Sequence, residues 1–499
     1  MTNARSIKPP RFWCFFLLLA FAFFPPATNI ALAGESHRPN VIFIIVDQLS
    51  ADAMSWRMGT QYLHTPAVDN LAQHGQFFTR AYSANPLCMP SRNSMFTGRY
   101  PHETKVTQNA RVKLDPVEFM NLGDYFGQAG YRTAYFGKRH LCFNVDKSFQ
   151  VAGLEPAKEN HDIQTLAAAT EFLSKKPQQP FLLVVSFINP HNVCELARGE
   201  NLPDGAIGEA PAPELCPPVP ANLAPQLNEP DTMTIMRKAY QNSPLFPVGN
   251  FTRENWRQLR WGYYRLIEKV DAQIGTVLAS LRRAGMDDNT VIVFTSDHGE
   301  CAGAHSFNQK TVLYEESARV PLIISFPGHT KSGTCDKLVN IGIDLLPTLL
   351  DFAGTPVPAK LTGRSLRPLA LDEVVTGWRD HVVVENDMEQ GRSAGDFEAV
   401  AQGRMIRTER YKYCVYDHGQ RRESLVDLQN DPGETRNLAG NLEYRKILLE
   451  HRALLARFAK ENNDPVAASM LVDDMKPVPF PPRKPNDGDS KPVKSANNL

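Results

Sequence analysis

At 499 residues the chain exceeds one minimal domain and suits one large domain plus a smaller one. Lys+Arg and Asp+Glu number 54 each, so the formal net charge is zero. This excludes a whole-protein field for nucleic acid or an anionic membrane, though not a local basic pocket.

In chain order, Arg5, Lys8 and Arg11 precede an apolar run over residues 12–24, and Ala31-Leu32-Ala33 then supplies small side chains. Basic, apolar and small in that order predict a secretory signal peptide over residues 1–33. Its apolar core of about 13 residues falls short of the roughly 20 that span a bilayer, so no stable membrane anchor is expected. Export implies a secreted or periplasmic protein, or the secretory and lysosomal route in a eukaryote, and permits disulfides. Eight cysteines become seven once Cys14 leaves with the signal. One thiol is then left over, and Cys194 with Cys216, in one loop-like region, is the favoured pair.

Four later runs share a pattern. Residues 41–46 are apolar and lead to Asp47-Gln48. Residues 133–136 lead to Gly137-Lys138-Arg139-His140. Residues 181–188, apolar except Ser186, lead to Asn189-Pro190-His191, and residues 291–294 lead to Ser296-Asp297-His298-Gly299. Such runs predict strands buried on both faces. Helical spacing lies between them at Val68-Leu71-Ala72, at Phe119-Leu122-Tyr125-Phe126, at Ile163-Leu166-Ala167-Thr170 and over residues 256–281. Alternating strands and helices predict an α/β fold, a mostly parallel sheet sandwiched by helices. In such sheets ligands bind beyond the carboxyl ends of the strands, where all four runs place Asp, Lys or His.

The predicted catalytic domain covers residues 34–375. Within it, Pro211, Pro213, Pro217, Pro218 and Pro220 mark residues 192–250 as a loop insertion over the pocket. Residues 376–475 form a smaller α+β domain, with strands over 381–384 and 411–416 and a closing helix over 443–460. A Pro-, Asp- and Lys-rich tail over 476–499 is expected to lack order.

The sharpest feature is Cys88-Met89-Pro90-Ser91-Arg92, followed by Thr97-Gly98-Arg99. Pro90 suits the first turn of a helix and Gly98 its end. Cys88 then sits at a helix N-terminus, where amide groups and the dipole favour an anion, and Arg92 one turn on adds positive charge toward the same spot. This segment resembles the signature of type I sulfatases, in the alkaline phosphatase superfamily, whose Cys is oxidised to formylglycine by a dedicated generating enzyme. The resemblance runs from about Pro39 to about Leu438. It includes Gly137-Lys138-x-His140, Asn189-Pro190-His191, Ser296-Asp297-His298-Gly299, Lys310, Ile343-Asp344-Leu345-Leu346-Pro347-Thr348, Asp427-Leu428 and Asp431-Pro432-Gly433-Glu434.

The resemblance implies an alkaline-phosphatase-like fold and a sulfuric ester hydrolase. In it the hydrated aldehyde of residue 88 attacks sulfur with one hydroxyl, and its second hydroxyl later expels sulfate. Asp47, Gln48, Cys88, Asp297 and His298 are the implied ligands of a divalent metal, Ca²⁺ first and Mn²⁺ as an alternative. Cys88, Arg92, Lys138, His140, His191 and Lys310 form the implied catalytic set. The lysines hold sulfate oxygens, His140 orients or deprotonates the diol, and His191 binds sulfate and protonates the leaving oxygen. His305 is a further candidate substrate contact. Gln48 and His298 depart from the family's commoner Asp and Asn, and resemble a subgroup with phosphonate monoester hydrolases and choline sulfatases. The implied substrate is a sulfated sugar or polysaccharide. A phosphonate monoester or phosphodiester is the first alternative, and a catalytically silent binder of sulfated glycans the second.

Overall fold

The computed structural model describes Met1 and residues 8–10, 38–153, 160–241, 243–388, 394–471 and 475–483. The chain divides into two units, Met1–His37 and Arg38–Leu499, and every element below belongs to the second. The expected signal peptide lies almost wholly outside the described residues. None of the described helices is long and apolar enough to cross a membrane.

The four apolar runs are strands: β1 (Asn40–Asp47), β2 (Arg132–Gly137), β3 (Phe181–Pro190) and β4 (Thr290–Ser296). They lie side by side in the order β4-β1-β3-β2, all parallel. Val151–Ala152 extends the sheet beyond β2, and Leu322–Ser325, Gln76–Phe78 and Gly333–Cys335 extend it beyond β4, the first of these antiparallel to β4. The result is an α/β, mostly parallel sheet of eight strands.

Residues along β1 alternate between two cores, which explains its unbroken apolarity. Ile42, Ile44 and Val46 face one core, shared with the helices Pro66–His74, His161–Ser174 and Arg253–Ala284. Val41, Phe43 and Ile45 face the other, shared with the helices Cys88–Thr97, Leu122–Gln128 and Ile341–Phe352. Beyond this sandwich, His381–Met388, Ala401–Thr408, Tyr411–Tyr416 and Glu423–Asp427 form a four-stranded antiparallel sheet. The Arg445–Glu461 helix covers it through Leu448, Leu455 and Phe458.

Three expectations need correction. Residues 192–250 are not simply a loop, because Val193–Arg198 and Asp231–Gln241 are helices. Met233, Met236, Ala239 and Tyr240 recur at helical spacing and are buried, a pattern the prolines upstream obscured. The segment is also bound to the C-terminal portion: the Leu227 amide donates to the Thr435 carbonyl (2.8 Å) and the Asp231 amide to that of Arg421 (3.0 Å). The tail is ordered past Lys476, since Val478 bridges to Gly419 and Pro482 to Phe397; residues 484–499 lie outside the described part. Cys194 and Cys216 are both free thiols. Cys194 instead faces Gln48 and Cys216 the Pro211 carbonyl.

Candidate active site

Parallel register brings the four strand ends into one row. Asp47 closes β1 beside Pro190 of β3, and Val46 pairs with Ser296, the residue before Asp297. Gly137 closes β2 opposite Ser186 at φ +102°, where a Cβ would strike the Ser186 carbonyl, so glycine is required there. The next amide, of Lys138, donates to that same carbonyl (2.8 Å).

The Cys88–Thr97 helix brings the fifth part of the site. Leu87 is its N-cap and Gly98, left-handed at φ +66°, ends it, as the sequence predicts. All ten side chains are buried. Ser91 Oγ donates to the Asp297 carbonyl (2.6 Å), which seats the helix N-terminus on the end of β4.

Cys88 Sγ lies 3.2 Å from His298 Nε2, 3.8 Å from Lys138 Nζ and 3.9 Å from Asp47 Oδ1. Burial and the Asp47 charge push this thiol up, but Lys138, Lys310 and His298 prevail and hold it well below the ordinary thiol range. Burial likewise raises Asp47, yet Lys138, His191, Arg92 and His298 hold it well below the usual carboxylate range. Asp297 is pushed up to about 6, by burial foremost and by the like charge of Asp47, against Arg92.

Arg92 does not point at Cys88 as the helix register suggested. Its guanidinium is fully buried and forks between carboxylates: Nε donates to Asp297 Oδ2 (2.7 Å) and Nη2 to Asp47 Oδ2 (2.9 Å). Nη1 donates to Ser186 Oγ (2.7 Å). Arg92 therefore ties the ends of β1 and β4 to the middle of β3. Ser186 was visible in the sequence only as the one polar residue in an apolar run.

Asp47, Cys88, Asp297 and His298 present potential metal-ligand atoms within 4.8 Å of one another, all buried. His298 Nδ1 faces the Gly299 carbonyl (3.0 Å), which leaves Nε2 as the ring atom that a cation would take; burial opposes the ring's charge, but Asp297 and Cys88 prevail and raise it. Nε2 is 3.9 Å from Asp47 Oδ1 and 3.7 Å from Asp297 Oδ1. A hard divalent cation takes oxygen ligands at about 2.3–2.6 Å, which sets neighbouring ligands about 3.3–4 Å apart, so the donors fit one.

Gln48, grouped with the metal ligands from sequence, is engaged elsewhere. Its Oε1 accepts from Lys310 Nζ (2.5 Å) and its Nε2 donates to Glu300 Oε2 (2.5 Å). Glu300 is the buried partner that sequence reasoning missed, since only the fold brings it to Gln48.

Lys138 Nζ pairs with Asp47 Oδ2 (2.7 Å), and both Lys138 and Lys310 are buried. Cys88 acts electrostatically on both His140 and His191, raising each against the larger lowering effects. Burial first, then Lys310 and Lys138, hold His191 at about 4; burial and Lys138 lower His140. The His191 turn is anchored by Asp162, which accepts from the amides of Ile188 (2.6 Å) and Asn189 (2.9 Å). His305 stands apart: it stacks on Tyr314, its Nε2 meets Asn222 Nδ2 (3.2 Å), and its cluster is with Glu316 and Glu434.

The sulfatase family model matches residues 39–355, and the model for the C-terminal region of N-sulphoglucosamine sulphohydrolase matches 303–461. The chain belongs to the sulfatase family. It is a sulfuric ester hydrolase of the alkaline phosphatase superfamily. This sulfatase is 32% identical over 453 residues to the Delta 4,5-hexuronate-2-O-sulfatase of Bacteroides thetaiotaomicron, spanning 87% of this chain and 91% of the relative. It is 28% identical over 440 residues to the arylsulfatase K of Canis lupus familiaris, spanning 82% and 80%. Among solved structures, a 2-O GAG sulfatase superposes with a TM-score of 0.75 at 30% identity, covering 86% of this chain and 93% of that one. A phosphonate monoester hydrolase from Silicibacter pomeroyi superposes with a TM-score of 0.70 at 25% identity, covering 86% and 96%.

Proposed function

We propose that this sulfatase is exported and cleaves a sulfate ester of a sulfated carbohydrate, using Cys88 oxidised to formylglycine and a divalent cation, Ca²⁺ before Mn²⁺. The observation that carries the reading is the convergence of Cys88, the Asp47–Asp297–His298 donor set, two lysines and two histidines on one row of strand ends. The likeness to a hexuronate-2-O-sulfatase and a 2-O GAG sulfatase supports a carbohydrate substrate. The basic, apolar and small N-terminal order supports export.

The overall change is R–O–SO₃⁻ + H₂O → R–OH + SO₄²⁻ + H⁺. Hydrated formylglycine supplies two oxygens on one carbon, one to take the sulfo group and one to release it. Asp47, Asp297 and His298 would hold the cation, which supplies positive charge against a sulfate oxygen. Arg92 positions those carboxylates. Lys138 and Lys310 stabilise charge on the remaining sulfate oxygens. His140 receives or steers a proton at residue 88. His191, held neutral beside the two lysines, gains its proton as the sulfate anion offsets their repulsion, and delivers it to the leaving oxygen.

Mass spectrometry of the Cys88 peptide tests this directly. Co-expression with the formylglycine-generating enzyme is expected to lower the mass by roughly 18 Da, SH₂ being replaced by O. A fully active protein with an intact thiol at Cys88 overturns the mechanism. His298, shared with the resemblance to phosphonate monoester hydrolases, and the Silicibacter pomeroyi likeness favour one second reading, a phosphonate ester substrate. Side-by-side rates on sulfate and phosphonate esters of one phenol separate the two.

A further inference from the structure

A cleft of about 520 Å³ opens beside the reaction centre, a volume suited to a small ligand. Met89 of the catalytic helix and His140 form its inner wall, and the segments carrying Arg111, Lys113, Cys142 and Asn144 form the rest. It meets the reaction centre through Met89, which follows Cys88 in its helix, and through His140, whose Nδ1 is buried without a partner.

The charges around the cleft do not balance. Arg139 and Asp146 both line it but neutralise each other through two 2.9 Å contacts, and Arg139 also donates to the Gly153 carbonyl (2.5 Å). Arg111 and Lys113 are exposed and make no salt bridge among the described residues, though Lys113 also acts on the exposed Asp115, which does not line the cleft. Two cations thus face an open cleft that touches the nucleophile's neighbour. A simple aryl sulfate has no group to reach them. A sulfated saccharide carries carboxylates or further sulfates on its rings, and guanidinium and ammonium groups complement both.

We propose that this cleft binds a second anionic substituent, a carboxylate or a further sulfate, of the saccharide that carries the scissile ester, with Arg111 and Lys113 as its specificity-determining cations. The inference rests on the sulfated-carbohydrate reading above and narrows the substrate class to polyanionic saccharides. Opposite charge near the site also steers the substrate in, so turnover of that substrate depends on ionic strength.

The test compares wild type with R111Q/K113Q on 4-nitrophenyl sulfate and on a sulfated uronate-containing disaccharide. Two further disaccharides, one carboxyl-reduced and one without its second sulfate, tell which anion the cleft reads. The double variant is expected to lower the disaccharide-to-aryl ratio of kcat/KM at least tenfold, chiefly through KM, and to flatten its salt dependence. Equal losses on both substrates, or none on either, overturn the inference alone. Wild-type turnover of the aryl ester with none of any sulfated saccharide overturns the proposed substrate and the inference together.

Discussion

Replacing Arg92 with methionine keeps much of its reach and removes its charge. In the native site the guanidinium contacts Asp297 at 2.7 Å, Asp47 at 2.9 Å and Ser186 at 2.7 Å, with no part of Arg92 exposed. The variant strands two buried carboxylates that share this cation. Breaking a buried pair by removing one partner costs about 3–5 kcal/mol. The unfolding entropy of about 460 residues, at about 2.1 cal/mol/K each, is about 1 kcal/mol/K, so the metal-chelated R92M protein should melt about 3–5 °C below chelated wild type. Differential scanning calorimetry in chelator measures the gap. A divalent cation compensates the same charge, so its addition should narrow the gap. R92K, whose single ammonium cannot fork to both carboxylates, should fall between. R92M melting within about one degree of chelated wild type would refute the reasoning, and would mean that Lys138 and His298 alone neutralise the pair.

His191→Ala should cost far more on a sulfated sugar than on 4-nitrophenyl sulfate, because nitrophenolate leaves without a proton. General acid catalysis sets the difference at about 10²- to 10⁴-fold in kcat, and equal losses would leave His191 as a sulfate ligand only. Thorough chelation should abolish turnover, and Asp297→Ala should reproduce that loss with metal present; a rate that survives both makes Asp47 and Asp297 structural. His102 bridges the catalytic half to the C-terminal portion, with Nδ1 2.6 Å from Glu385 and Nε2 2.9 Å from the Asn462 carbonyl. Burial opposes its charge, but the Glu385 hydrogen bond and charge prevail and raise it, with Asp464 adding to the effect. The folded value exceeds the unfolded one, so this stability is complete below about pH 6.5 and is lost as pH rises through the folded value. Melting temperature should fall on that limb in wild type and less in H102Q; parallel curves would remove His102 from the account.

The fold and the location of the site were legible in the sequence because both depend on local patterns. Residues of β1 buried on two faces had to be apolar on both, and a parallel sheet must then collect the residues just past its strands at one edge. Cys88, Asp47, Asp297, His298, Lys138, His140 and His191 followed from that logic together with the Cys-x-Pro-Ser-Arg resemblance. The Asp231–Gln241 helix was missed because nearby prolines dominated the reading, although its Met233-Met236-Tyr240 spacing is helical. Glu300 carried no signal, being one acid among many until the fold buried it against Gln48.

By itself, then, the sequence determined the four central strands, the residues gathered just past them, and the helix that carries Cys88. Tertiary structure decided where each polar side chain spends its hydrogen bonds. Helix register aimed Arg92 toward Cys88, yet its partners come from β1, β3 and the end of β4, separated by more than a hundred residues. Gln48 follows Asp47, a candidate metal ligand, in the chain, yet Lys310 and Glu300 take its carboxamide. Cys194 and Cys216 are near in sequence but remain free, and His305 stacks on Tyr314 away from the reaction centre. For Arg92 and Gln48 the physical reason is shared: buried polar groups must be satisfied, and their partners lie on distant segments that only the fold brings within 3 Å.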